Sequence, residues 1–344
     1  MKTTSSNSHS SNNHAVTHRK KGNLTKLKKG LIKDIVRMEV KIHRITLNAR
    51  RDTLYNLQPF FGNLAITKSN HSGQFKGYNK IAYKSRKKGK IIISSWPIKG
   101  YLPQSRIYIP NPSQKLLCKL SDKFPCLTVS EVEYAVDIFY SSPKYVRRYF
   151  RLLRRYVYFR YKRIIKFYTH HKKPRKSQIN MTLDAKPIKI YERGNDEDKV
   201  HYKGDGGKKG WFFDKLKKVR IEVTADNKIL RKHDLVSLDE FIQSVKFENV
   251  FMEHLHFKRF KSSAKKLPKE YSRYKSKYIS GYRGSRHPGT FYAEFNKAKT
   301  FYKNIAQFIT NVAAFEKLKD KLRYEIRKFE KAWSKRYMKY KEQI

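Results

Sequence analysis

The stretch VSEVEYAVDIFY, residues 129–140, decides the fold class. Val132, Tyr134, Val136 and Ile138 alternate with Glu131, Glu133, Ala135 and Asp137. A period of two places the apolar set on one face of a β-strand and the acidic set on the other. The spacing predicts a strand over Val129–Phe139. Working outward, short β-prone runs recur at Ile42–Leu47, Phe75–Tyr83, Lys90–Trp96, Arg106–Ile109, Pro187–Arg193 and Lys217–Thr224. Glycines separate the earlier runs, and Gly204, Gly206, Gly207 and Gly210 form a Gly-rich hairpin or loop between the last two. Such punctuation predicts antiparallel strands joined by turns.

Helical patterns surround these runs. Leu24, Leu27, Leu31, Ile35 and Met38 predict an amphipathic helix from Asn23 to about Val40. Pro110-Asn111-Pro112-Ser113 ends a strand and opens a short helix that buries Leu116, Leu117 and Leu120. Further helices are expected at Lys144–Phe167, Ala225–His233, Ser237–Ser244 and, as one long apolar-striped region, about Phe291–Glu342. The expected fold class is α+β, an antiparallel sheet with flanking helices and a long helical C-terminal region. The expected division is a basic disordered tail (1–22), an α+β core (23–260), a Tyr/Lys/Gly-rich linker or loop (261–290) and a basic helical region (291–344).

Charge bounds the partners. The chain carries 80 Lys+Arg against 28 Asp+Glu, a formal net charge of +52 over 344 residues. Solubility needs only about 2–8 net charges in a small domain. The excess therefore points to a polyanion, and nucleic acid is the expected one. The 24 Tyr and 21 Phe exclude a wholly disordered chain and offer rings for unpaired bases. Two cysteines, Cys118 and Cys126, exclude a disulfide framework and a Cys-rich zinc site, and fit a reducing cytoplasm. Apolar runs are short, so no membrane span or membrane partner is expected. Residues Met1 to Ala15 lack an apolar signal-peptide segment. No Walker-type phosphate loop occurs, because Gly204–Gly210 lacks the Lys-Ser/Thr ending.

In a chain this poor in acids, carboxylates within strands stand out. Glu133 and Asp137 share one face of the 129–139 strand; Glu192 lies in KIYER and Glu222 in VRIEV. Carboxylates on neighbouring strands can converge on a hard divalent cation, Mg²⁺ or Mn²⁺, which would withdraw charge from a scissile phosphate. A tyrosine alongside could act as nucleophile, given help in losing its proton. Cross-strand salt bridges with Lys and Arg are the structural alternative.

The segments IKIYERG (188–194) and VRIEVTADNKILRKHDL (219–235), preceded by VSEVEYAVDIFY, resemble the rolling-circle replication initiators of small plasmids and filamentous phages. The matched positions are Lys189, Ile190, Tyr191, Glu192 and Arg193, then Arg220, Ile221, Glu222 and Val223, within roughly residues 105–245. The family often has a further acid after its Tyr-Glu-Lys triplet; here Asp196, Glu197 and Asp198 lie in an apparent turn. The resemblance implies a β-sheet endonuclease core and a metal-dependent nick in one DNA strand, with a 5′-phosphotyrosyl link and a free 3′-OH that primes replication. It makes Tyr191 the candidate nucleophile and Glu192, Glu222 and, by strand context, Asp137 the candidate metal ligands.

Two further features belong to the same reading. His254-Leu255-His256, in VFMEHLHFKRF, has the His-hydrophobic-His form of the other large nickase class. On a strand both imidazoles would face one metal. Tyr274 and Tyr278, four apart, would supply its nucleophile pair on a helix. The Lys144–Phe167 segment carries Arg147, Arg148, Arg151, Arg154, Arg155, Arg160 and Arg163 with Tyr156 interleaved, and no acid. Charge for phosphates and rings for bases suit single-stranded DNA or a distorted duplex origin. A host helicase is a candidate partner. The alternative to a nickase is a non-enzymatic nucleic-acid-binding protein, ribosome- or nucleoid-associated; a transposase with an all-carboxylate site is a third.

Overall fold

The alternating stretch at 128–140 forms the middle of a ten-stranded antiparallel sheet. The structure is a computed structural model, and it describes residues 32–49, 56–57, 61, 65–68, 77–84, 91–158, 166–169, 181–185, 187–194, 199–203, 209–213, 215–260 and 309–343. The strands are β1 (Ile35–Ala49), β2 (Ala65–Lys68), β3 (Tyr78–Lys84), β4 (Ile91–Pro97), β5 (Ser105–Pro110), β6 (Thr128–Tyr140), β7 (Val157–Tyr158), β8 (Lys166–Thr169), β9 (Met181–Ala185), β10 (Ile188–Arg193), β11 (Lys199–Lys203), β12 (Lys209–Phe213), β13 (Lys218–Asp226), β14 (His256–Phe260) and β15 (Ile309–Asn311). The helices are α1 (Gln114–Lys123), α2 (Pro143–Tyr156), α3 (Asn227–Lys232), α4 (Leu238–Gln243), α5 (Phe247–His254) and α6 (Ala313–Lys341). The large sheet runs β2-β3-β4-β5-β1-β6-β13-β10-β9-β8. The α+β class read from the sequence is the one observed; β11 and β12 pair antiparallel, with Gly210 on β12 and residues 204–208 outside the described set.

The sheet has two unlike faces. Val132, Tyr134, Val136 and Ile138 of β6 and Val219, Ile221 and Val223 of β13 are fully buried in one core. The helices cover that side. Leu117 and Leu120 of α1, Val146, Phe150 and Leu153 of α2, Phe241 of α4, Val250 and Phe251 of α5 and Phe315, Leu322 and Ile326 of α6 join the same cluster. Three buried polar groups in this layer find main-chain partners, as burial favours. Tyr134 donates its hydroxyl to the Val245 carbonyl at 2.8 Å. Trp333 donates Nε1–H to the Ile242 carbonyl at 2.7 Å, and Gln114 donates to the Trp333 carbonyl at 2.8 Å. Ser113 caps α1 and Ser142 caps α2 with their hydroxyls.

Three expectations are corrected. The helix expected over Asn23–Val40 is strand β1 from Ile35 onward; residues 23–31 lie outside the described residues. Met38 and Val40 pair with Ile138 and Val136, so period-two burial against β6 overrides the helical spacing. The helix expected over Lys144–Phe167 ends at Tyr156. Val157, β-branched, turns extended and pairs with Phe257 of β14. The long C-terminal helix begins at Ala313 after the short strand β15, and residues 291–308 lie outside the described set. Among the described residues no helix is long and apolar enough to cross a membrane.

Candidate active site

The polar sheet face is built by strand alternation plus one interruption. On β6, Glu131, Glu133 and Asp137 project opposite the core set. Register with β13 sets Arg220 across from Asp137, and register with β10 sets Tyr191 across from Arg220 and Lys189 across from Glu222. Tyr191 and Glu222 are thus diagonal neighbours on one face, a spacing that long side chains bridge. On β1 the register with β6 shifts between Ile42 and Arg44. His43 follows Glu39 and Lys41 onto the polar face, and the β-bulge then places Arg44 on that same face and returns Ile45 to the core.

The side chains converge. Tyr191 donates its hydroxyl to Glu222 Oε1 at 2.5 Å. His43 Nε2 lies 3.7 Å from Glu133 Oε1 and 3.7 Å from Glu222 Oε1. One ligand atom from each of His43, Glu133 and Glu222 lies within 4.8 Å of the others, the only such group of three or more among the described residues. Arg220 Nη1 stands 3.4 Å from His43 Nε2, 3.5 Å from the Tyr191 hydroxyl and 3.5 Å from Glu222 Oε1.

His43 is held from behind. Its Nδ1 is 3.3 Å from Asn111 Oδ1, and its carbonyl accepts from the Asn111 N–H at 2.7 Å. Asn111 has a φ of 44°, a left-handed conformation that Asn tolerates. With Nδ1–H donating to Asn111, Nε2 keeps its lone pair toward the carboxylates, the arrangement a metal-ligating imidazole uses.

Electrostatics match that geometry. Burial, reinforced by the Arg220 charge, pushes the His43 pKa down to about 3, so the ring is neutral at pH 7. Burial and the Glu222 charge push Glu133 up to about 7, against the pull of Arg44. Arg44 Nη2 lies 3.0 Å from Glu133 Oε2 and 2.8 Å from Glu131 Oε1. Burial and the Glu222 charge hold the Tyr191 phenol well above its ordinary value, with Arg220 opposing. Two close carboxylates and a neutral imidazole form a mixed donor set: the carboxylates suit Mg²⁺ or Mn²⁺, and the imidazole favours Mn²⁺ of the two. The Arg220 guanidinium supplies part of the positive charge such a cluster needs.

The residues expected from the sequence divide. Tyr191 and Glu222 come together. Glu192 does not join them: it alternates with Tyr191, is buried beside Ile190 on the core face, and its metal-ligand role is corrected on that ground. Asp137 is on the correct face but is a countercharge. Its oxygens accept from Arg220 Nε at 2.5 Å and Nη2 at 2.8 Å, and Lys41 and Lys218 each lie 3.0 Å away. Burial alone would raise the Asp137 pKa, but the Arg220 hydrogen bonds and the three cations hold it well below the carboxylate range.

The rival site does not assemble as a strand. His254 ends α5, Leu255 caps it, and His256 begins β14, with His256 Nε2 at 2.8 Å from the Glu253 carbonyl. Tyr274 and Tyr278 lie outside the described residues, as do Asp196, Glu197, Asp198, Arg160 and Arg163 and the side chains of Arg154 and Arg155. Tyr156 is a core residue whose ring meets Phe315 at 5.4 Å, so it cannot stack on a base. Arg151 is exposed and Arg147 and Arg148 are half-buried on α2, the helix whose apolar side fills the core.

Sequence reasoning missed His43 and gave Arg220 no role. His43 lies within the expected Ile42–Leu47 strand, but only the pairing of β1 with β6 brings its imidazole to Glu133. Arg220 was legible as a cation two residues before Glu222 on the same strand face.

No protein-family model matches the sequence, and no curated protein is significantly similar to it. Among solved structures, the chain is similar to one described as a rolling circle replication initiator protein from Geobacillus stearothermophilus. The TM-score is 0.39 at 10% identity, over 73% of this chain and 100% of that one. A likeness so distant carries no argument about chemistry, which rests on the side chains.

Proposed function

We propose that the chain is a replication initiator that nicks and rejoins one DNA strand through Tyr191, in the manner of rolling-circle enzymes. The observation that carries the reading is the Tyr191 hydroxyl bonded at 2.5 Å to Glu222, within the His43, Glu133 and Glu222 cluster. The phenol stays protonated at neutral pH, so it needs a base in contact. Glu222 takes the proton as the Tyr191 Oη–P bond forms and the P–O3′ bond breaks. The same proton passes to the departing 3′ oxygen, which leaves as a free 3′-OH, while the 5′-phosphate stays on Tyr191. Reversal of these steps rejoins the strand. Arg220 stands beside the phenol oxygen and steadies negative charge as it develops. A divalent ion held by His43, Glu133 and Glu222 would add Lewis-acid charge at the phosphoryl oxygens. The substrate in this reading is single-stranded DNA or an unwound origin, since a phosphodiester must lie flat against the sheet.

The test is incubation with labelled single-stranded DNA and Mn²⁺, followed by a denaturing gel. Wild type is expected to form a covalent protein–DNA adduct. Tyr191→Phe is expected to form none while binding DNA within about twofold of wild type, because it removes one oxygen and no charge. An adduct that survives Tyr191→Phe moves the nucleophile elsewhere, with Tyr274 and Tyr278 next in line. Tight binding with no adduct on the native replicon's origin DNA would leave a non-enzymatic nucleic-acid-binding protein.

A further inference from the structure

A pocket of about 360 Å³ opens on the polar sheet face beside the Tyr191 cluster. Thr46 and Asn48 of β1, Arg106 and Tyr108 of β5, Glu131 of β6 and Asp226 at the end of β13 line it. Glu131 is two residues from Glu133 on the same face, about 7 Å along the strand. Asp226 is four residues beyond Glu222 on β13. The pocket therefore lies along the same strands as the reactive cluster, within reach of a nucleotide next to the one being cut.

The lining is unlike a phosphate site. Glu131 and Asp226 sit directly opposite each other in the β6–β13 register, a like-charge pair in a chain of net charge +52. Facing carboxylates destabilise a sheet unless something satisfies them. Each is only partly engaged: Glu131 Oε1 accepts from Arg44 at 2.8 Å, and Asp226 Oδ1 accepts from the Ile229 N–H at 3.1 Å. Carboxylates retain further acceptor positions and repel phosphate. Asn48 and Arg106, joined at 3.4 Å, supply donors, and Tyr108 supplies a half-buried ring. A ring, two acceptors and two donors lining a space large enough to admit a nucleobase are the parts that read an unstacked base on its hydrogen-bonding edge.

We propose that this pocket holds one unstacked base of the bound strand and selects a base carrying an exocyclic amino group over thymine. The inference rests on the reading that DNA occupies this sheet face. Glu131 and Asp226 accept from the amino group, Tyr108 stacks on the ring, and the phosphates stay outside on Lys189 and Arg193.

The test is fluorescence anisotropy with deoxycytidine and thymidine homopolymers of equal length, at fixed salt and without divalent metal. Wild type is expected to bind the cytidine polymer about tenfold more tightly. Glu131→Gln with Asp226→Asn, which keeps the Asn capping ability at 226, is expected to erase that preference and leave thymidine-polymer affinity unchanged or higher. Equal affinities in wild type, or a preference that persists in the double variant, overturn the proposal. Should the double variant fail to fold, ultraviolet cross-linking of wild type to a strand bearing one 5-iododeoxycytidine replaces it. Attachment at Tyr108 supports the pocket, and attachment only elsewhere overturns it. Neither assay needs cleavage. A Tyr191-dependent adduct without base preference sinks the pocket alone, and base preference without an adduct sinks the nicking reading alone.

Discussion

At the scale of single residues, Asp137 and Asn111 hold the site's arginine and imidazole in place. Asp137 is fully buried with three cations around it. Removing one member of such a set leaves buried charge without a partner, which costs roughly 3–5 kcal/mol. Asp137→Asn is therefore expected to lower unfolding free energy by about that much in urea melts. The sign with pH follows from the depressed folded pKa. The Asp137 contribution is fully present above its unfolded pKa of about 3.9 and is lost as pH falls through its lower folded value. Acid unfolding of the Asn variant should lack that part of the slope, and an unchanged slope would show that Asp137 is not the group responsible. The His43–Asn111 contact makes a second prediction. Asn111→Gly removes the side-chain oxygen while keeping the left-handed backbone at φ 44°. Groups that orient a ligating imidazole are worth about 10–100-fold in metal affinity. Calorimetry with Mn²⁺ should show a loss in that range. An unchanged affinity would mean that Asn111 only packs.

At the scale of elements, the informative pieces are the bulge in β1 and the anchoring of α6. β1 alternates through His43, and the register shift after it adds Arg44 to the same polar face and returns Ile45 to the core. The periodic pattern of the sequence could show β6 and β13 but not this interruption, since a bulge is set by pairing with a neighbour. Helix α6 is fixed to the core by Trp333, whose indole N–H bonds the Ile242 carbonyl and whose own carbonyl accepts from Gln114. Arg327 adds a two-pronged contact to Glu248 on α5 at 2.5 and 2.8 Å. That contact is exposed and contributes little by comparison. Trp333→Ala is expected to destabilise by about 3–5 kcal/mol through the cavity and the orphaned carbonyl. Arg327→Ala should cost less than about 1 kcal/mol. Thermal melts of the two variants side by side check the ranking, and equal losses would refute it.

At the scale of the whole molecule, charge sets affinity while the site sets chemistry. A net charge of +52 attracts any polyanion. Each neutralised phosphate of a single strand adds about −0.7 to the slope of log affinity against log salt. Titration of single-stranded DNA binding is expected to give a slope steeper than about −4. The Tyr191→Phe variant should share that slope, because the substitution removes no charge. A shallow slope would mean that few of the 80 basic residues touch DNA. Among the described residues the helices pack on the apolar face, and Tyr191 lies on the opposite, polar face.

The sequence by itself determined the high net positive charge, the α+β class, and the polar and apolar faces of β6 and β13. These follow from composition and from period-two alternation, which are local properties of the chain, whereas Tyr191 was singled out by the resemblance to rolling-circle initiators. Tertiary structure decided the rest. It placed Glu192 on the core face, tied Asp137 to Arg220, ended α2 at Val157 in favour of pairing with β14, and brought His43 from another strand to complete the cluster. Each of those outcomes depends on which strand lies beside which and in what register. Register is fixed by side chains distant in sequence, so no local pattern could contain it.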